Sequence, residues 1–66
     1  MIEEIKKNAP SGATHYRVLE MISRIFYFKK VNGEIFWFND CDFWSSIRKE
    51  DGLIHEKKMR KLIKPL

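Results

Sequence analysis

Arg24-Ile25-Phe26-Tyr27-Phe28-Lys29-Lys30-Val31-Asn32-Gly33-Glu34-Ile35-Phe36-Trp37-Phe38-Asn39 is the stretch that decides the fold. It places six aromatic rings on two runs separated by Asn-Gly. A two-residue Asn32-Gly33 turn suits a type I′ hairpin, in which both central residues need positive φ. Aromatic and β-branched residues on either side favour pleated strands. The turn pairs Val31 with Glu34, Lys30 with Ile35, Phe28 with Trp37 and Phe26 with Asn39. In that register Ile25, Tyr27, Val31, Phe36 and Phe38 share one face, and Phe26, Phe28, Ile35 and Trp37 share the other. Both faces are apolar. A short chain has little with which to cover two.

The chain has 66 residues, of which 44% are hydrophobic and 14% aromatic, enough to exclude disorder and too few for more than one small core. Residues 1–66 therefore read as a single small domain, with 1–8 as an N-terminal arm. Cys41 is the only cysteine, so no intrachain disulfide can form, and a lone thiol fits a reducing cytosol. No apolar run approaches the ~20 residues of a membrane span, and no leader-like segment is visible. The expectation is a soluble, unprocessed protein.

Outward from the hairpin, Ala9-Pro10-Ser11-Gly12 reads as a turn and Ala13 to Glu20 as a strand. Met21-Ile22-Ser23 lacks the usual turn residues and reads as an irregular connection. Asn39-Asp40-Cys41-Asp42 is a polar break. Phe43 to Ile47 favours a short fourth strand over a helix capped by Asp40 or Asp42, because its residues are poor helix formers. Asp51-Gly52 is a second turn signal. From Leu53 onward Met59, Leu62, Ile63 and Leu66 fall at helical spacing opposite basic residues, which predicts an amphipathic helix ending near Pro65. A fifth strand through Lys61-Leu62-Ile63 is the alternative. The fold class expected is small α+β, an antiparallel meander of three to four strands with a C-terminal amphipathic helix.

No catalytic constellation is visible: His15 and His55 are far apart, and Ser11, Ser45 and Ser46 have no nucleophile elbow or base nearby. An enzyme is not expected. Asp40-Cys41-Asp42 with two distant histidines does not supply the paired spacings of a structural zinc site, so neither metal nor cofactor is expected. Gly33 to Asn39 echoes the middle strand of a WW domain, but that module's first tryptophan is missing.

Ala9-Pro10-Ser11-Gly12-Ala13-Thr14-His15-Tyr16 resembles the Ala-Pro-x-Gly-Ala-Thr-His-Tyr opening motif of many small tailed-bacteriophage proteins. In them it leads to an aromatic strand, a lysine pair, a glycine turn and a tryptophan-bearing strand. Phe26-Tyr27-Phe28, Lys29-Lys30, Asn32-Gly33 and Phe36-Trp37 stand in those places. The likeness spans roughly Asn8 to Trp44 and departs from the pattern at Met21-Ile22-Ser23. It implies a viral origin and a β-rich fold; the location expected for the chain is the host cytoplasm. It implies no settled activity and transfers no functional residues.

The function expected is that of a phage accessory protein that binds a host or phage protein and inhibits or redirects it. Phe26, Phe28, Ile35 and Trp37 are the expected anchors, with Arg24 and Lys30 at the rim, since rings and arginine dominate such contacts. Pairing along an uncovered sheet edge is another route to a partner. The net charge of +4 and a pI near 9.4 admit an anionic partner. The alternative function is thus a small basic module for single-stranded nucleic acid, using Lys57, Lys58, Arg60 and Lys61 together with Arg24, Lys29 and Lys30. A second copy of the chain is a third candidate partner, giving a homo-oligomer.

Overall fold

In the computed structural model the backbone is described from Ile2 to Leu66, and side chains for those residues except 49–56. The hairpin forms as its turn residues dictate. Asn32 and Gly33 take φ of 49° and 82°, as a type I′ turn requires. β2 (Arg24–Val31) and β3 (Glu34–Phe38) pair in the expected register from Val31↔Glu34 to Phe28↔Trp37. The ladder ends there, short of the expected Phe26–Asn39 pair.

β1 (His15–Leu19) pairs antiparallel with β2, and β4 (Trp44–Ser46) pairs with β3. These four strands form the expected meander. The count is nevertheless five, because β5 (Lys64–Pro65) returns to the far edge and pairs with β1, giving the order β4-β3-β2-β1-β5. Two residues carry too little pattern to announce a strand. Pro65 fits there because an edge strand can spare one backbone donor.

Two helices complete the fold. α1 (Ile2–Lys7) forms where the sequence was expected to supply only an arm. Six residues are too few to hold a helix by propensity alone, so packing must sustain it. Ile5 is buried, and the Tyr27 hydroxyl donates to the Ile5 carbonyl at 2.8 Å. Burial raises the Tyr27 pKa above its usual 10.0, which keeps that donor protonated. α2 (Ile47–Leu62) starts earlier than the periodicity implies. The turn expected at Asp51-Gly52 does not form: the backbone there runs on as helix within α2. The side chain of His55 lies outside the described part. α2 ends as the Ile63 N–H bonds the Met59 carbonyl at 3.0 Å, and Ile63 turns extended ahead of Pro65.

Register assigns the faces, because directly paired residues point the same way. Arg17, Phe26, Phe28, Ile35 and Trp37 face α2. Phe28 and Ile35 close against Ile47, Met59 and Ile63 to form the core, with Phe26 and Trp37 packed beside it. Tyr16, Val18, Ile25, Tyr27, Phe36, Phe38 and Trp44 point the other way, toward α1. The segment before β1 crosses this second face. Gly12, at φ 94°, leaves only 3.5 Å between an added Cβ and Lys29 Cδ, and 3.8 Å to Trp44 Nε1. Lys29 Nζ lies 5.5 Å from the Phe36 ring centre and 5.0 Å from that of Trp44, a cation held over two rings.

Candidate protein-interaction surface

The face expected to stay open is the one α2 closes. Phe28 and Ile35 are 3% and 1% exposed, so neither can anchor a partner without unfolding. Phe26 and Trp37 are half-buried, with ring centres 6.3 Å apart. Of the proposed rim, Arg24 lies 4.5 Å over the Phe26 ring and pairs with Asp40, while Lys30 is exposed and its N–H donates to Thr14 Oγ1 at 2.9 Å. The four anchors do gather on one face as the register predicts. The physical reason they fail as a docking face is the return of α2 to β5, which carries Met59 and Ile63 across them.

The apolar excess sits elsewhere, and it is mostly aliphatic. Phe26, Tyr27, Phe36, Trp37 and Phe38 are all half-buried. On the α1 side, the Val18–Ile25 pair remains 38% and 39% exposed. Beyond that pair the chain turns through a 3₁₀ segment, Glu20–Ile22, whose Met21 is 99% and Ile22 61% exposed. Ser23 closes the turn at φ 50°. Ile2 of α1 is exposed as well. Val18, Met21, Ile22 and Ile25 therefore form an apolar end to the β1–β2 hairpin, where water-facing turn residues are the rule. The signal was present in the sequence: Met21-Ile22 is a connection with neither glycine nor proline nor charge.

Compared with known proteins, the chain matches no family model, no curated protein and no solved structure. Function must be argued from this surface alone.

A groove adjoins the apolar end. It encloses about 570 Å³ and runs between β1 and the end of α2, with Ile2, Ile5, Tyr16, Val18 and Leu62 in its walls. Leu62, expected in the helix core with Met59 and Ile63, is exposed here instead. Arg17, Glu20 and Lys64 add charge to the lining. Arg17 also reaches the α2 side, where its Nη1 donates to Met59 Sδ at 3.6 Å.

The remaining candidates separate. Lys57, Lys58, Arg60 and Lys61 are exposed on α2, and Arg60 donates to the Gly33 carbonyl. Asp40, Cys41 and Asp42 form a tight loop in which Asn39 Oδ1 accepts the N–H groups of Cys41 and Phe43 at 2.9 and 3.1 Å. Among the described residues no cluster of three or more His, Cys, Asp or Glu could hold a metal. Among the described residues no helix is long and apolar enough to cross a membrane.

His15 stands at the junction of β1 and β5, opposite Pro65, with Nδ1 2.7 Å from Thr14 Oγ1. Burial, and then the Lys30 charge, lower its pKa below 6.5. The unfolded chain therefore binds this proton more tightly than the folded one. Stability is fully present above pH 6.5 and is lost as pH falls through the lower folded value. Thermal unfolding at pH 7.5 and 5.5 should show a fall in Tm that His15→Gln reduces. An equal fall in the variant would assign the pH effect to other groups.

Proposed function

We propose that this chain is a small non-enzymatic interaction protein, a phage accessory factor of the host cytoplasm that binds a host or phage protein. It acts by occupying a surface of that protein and so inhibits or redirects it. The supporting observation is the apolar end of the β1–β2 hairpin, with Val18, Met21, Ile22 and Ile25 exposed on a chain whose other sheet face is closed by its own helix. Holding apolar side chains in water at a hairpin tip costs solubility, and a partner that covers them recovers about 25 cal/mol per Å². This moves the binding site from Phe26, Phe28, Ile35 and Trp37 to the opposite side and the end of the sheet.

The nucleic-acid reading is the weaker one. Single-strand binders set free aromatic faces in a basic groove. Here Phe26, Phe28 and Trp37 lie under α2, and Lys29 rests on Phe36 and Trp44. The cations of α2 remain, without a stacking platform on that side of the sheet. The test of the favoured reading compares wild type with Val18→Asp and Ile25→Asp in affinity purification from host cells, with circular dichroism as the fold control.

A further inference from the structure

We propose that the two turns at one end of the sheet, residues 20–23 and 40–43, form a single docking head. Its occupant is an apolar patch rimmed by lysine and arginine on the partner protein. This rests on the interaction reading above and specifies where the contact is centred and what chemistry meets it.

The meander makes these two turns neighbours. β1 and β3 both pair antiparallel with β2, so they run the same way and finish at the same end of the sheet. The Arg24–Asp40 ion pair ties the two turns together there. Met21 and Ile22 are thus joined by Phe43, which is 69% exposed. Val18 and Ile25 stand behind them in the β1–β2 pair.

Phe43 is offered on a fixed loop. The Asn39 N–H donates to the Phe43 carbonyl at 2.9 Å, which leaves three residues between them. The Asp42 N–H bonds the Asn39 carbonyl at 3.0 Å, and Asp42 takes a φ of 60°, a turn closed by a left-handed residue. Asn39 Oδ1 holds the N–H groups of Cys41 and Phe43. These bonds use only the backbone of Phe43, and most of its ring faces water. A ring held ready at little ordering cost suits the centre of an interface.

Charge selects the occupant. The whole chain carries +4, yet these turns set Glu20, Asp40 and Asp42 against Arg24 alone, all of them exposed. An apolar head ringed by acid on a basic protein is complemented by a cationic rim on the partner. A second copy fits less well. Joined end to end by a two-fold axis, two copies would bring the same carboxylates together. Joined head to tail, through the cations of another copy's α2, they would build rings or filaments.

The probe is a capped amphipathic peptide, Lys-Leu-Leu-Lys-Ala-Leu-Lys-Lys-Leu, titrated into isotope-labelled full-length protein. Shifts are expected at Met21, Ile22, Ile25 and Phe43, and not at Ile35 or Met59. Phe43→Ala should weaken binding about tenfold, with circular dichroism as the fold control. The double variant Glu20→Gln/Asp42→Asn should do the same and flatten the dependence on salt, because asparagine tolerates the left-handed backbone and removes only charge. No shift at either turn at millimolar peptide overturns the proposal. So does equal binding of the peptide with glutamate in place of lysine. Oligomers that sediment without peptide and dissolve with Phe43→Ala also overturn it, by making the occupant a second copy. A partner protein lost by Val18→Asp but kept by Phe43→Ala and by the double variant removes the two-turn head and leaves the interaction surface standing.

Discussion

Phe28→Ala and Ile35→Ala should each strongly destabilise the chain and sharply lower its urea midpoint. Phe28 packs against α2 at the centre of the core, and Ile35 is the most enclosed large side chain. Truncating a buried phenylalanine to alanine costs about 3–5 kcal/mol, and isoleucine about 2–5. A domain of 66 residues holds roughly 3–10 kcal/mol in total, at 0.05–0.15 per residue. Either loss takes about half of a mid-range reserve. No disulfide restrains the unfolded chain, since Cys41 stands alone. Urea titration followed by far-ultraviolet circular dichroism reads the effect directly. A variant that keeps a wild-type midpoint would mean that α2 does not seal this face.

Val18→Asp and Ile25→Asp should have the opposite profile: fold retained, partner binding reduced by tenfold or more for each. The two residues are cross-strand partners and each is more than a third exposed. A carboxylate there remains hydrated in the free protein, so the cost to folding is about 1–2 kcal/mol, from lost strand propensity and the lost cross-strand pair. In a covered interface the same carboxylate would be buried without a partner, which costs far more. The pair of results, unfolding from Phe28 and lost binding from Val18 and Ile25, assigns the two sheet faces to two tasks. Retained capture of the same partner by both aspartate variants would move the site elsewhere.

The hairpin was legible because Asn32-Gly33 fixes the turn, and the turn fixes the register. From the register followed the two sets of side chains. Which set would be covered was not legible. That depends on the path of the chain after β4, and two residues at Lys64–Pro65 decide it by pairing with β1 instead of β4. Periodicity also misread the tail. Met59 and Ile63 do turn inward, but Leu62 faces the groove and Leu66 leaves the helix to bond the Thr14 carbonyl at 3.0 Å. α1 was illegible for a different reason, since six residues take their helix from the burial of Ile5 and the Tyr27 hydrogen bond. At the surface the ring count misled. The six hairpin rings find cover, while Phe43 in the loop before β4 and the aliphatic Val18, Met21, Ile22 and Ile25 stay outside.

Solvent paramagnetic relaxation of methyl groups tests the two-sided account most directly. With a neutral gadolinium chelate in solution, the methyls of Val18, Met21, Ile22 and Ile25 should broaden strongly, while those of Ile5, Ile35, Ile47, Met59 and Ile63 stay sharp. Broadening of Ile35 and Met59 to the level of Val18 and Ile25 would contradict it, because α2 would then not be closing the face on which the core is built.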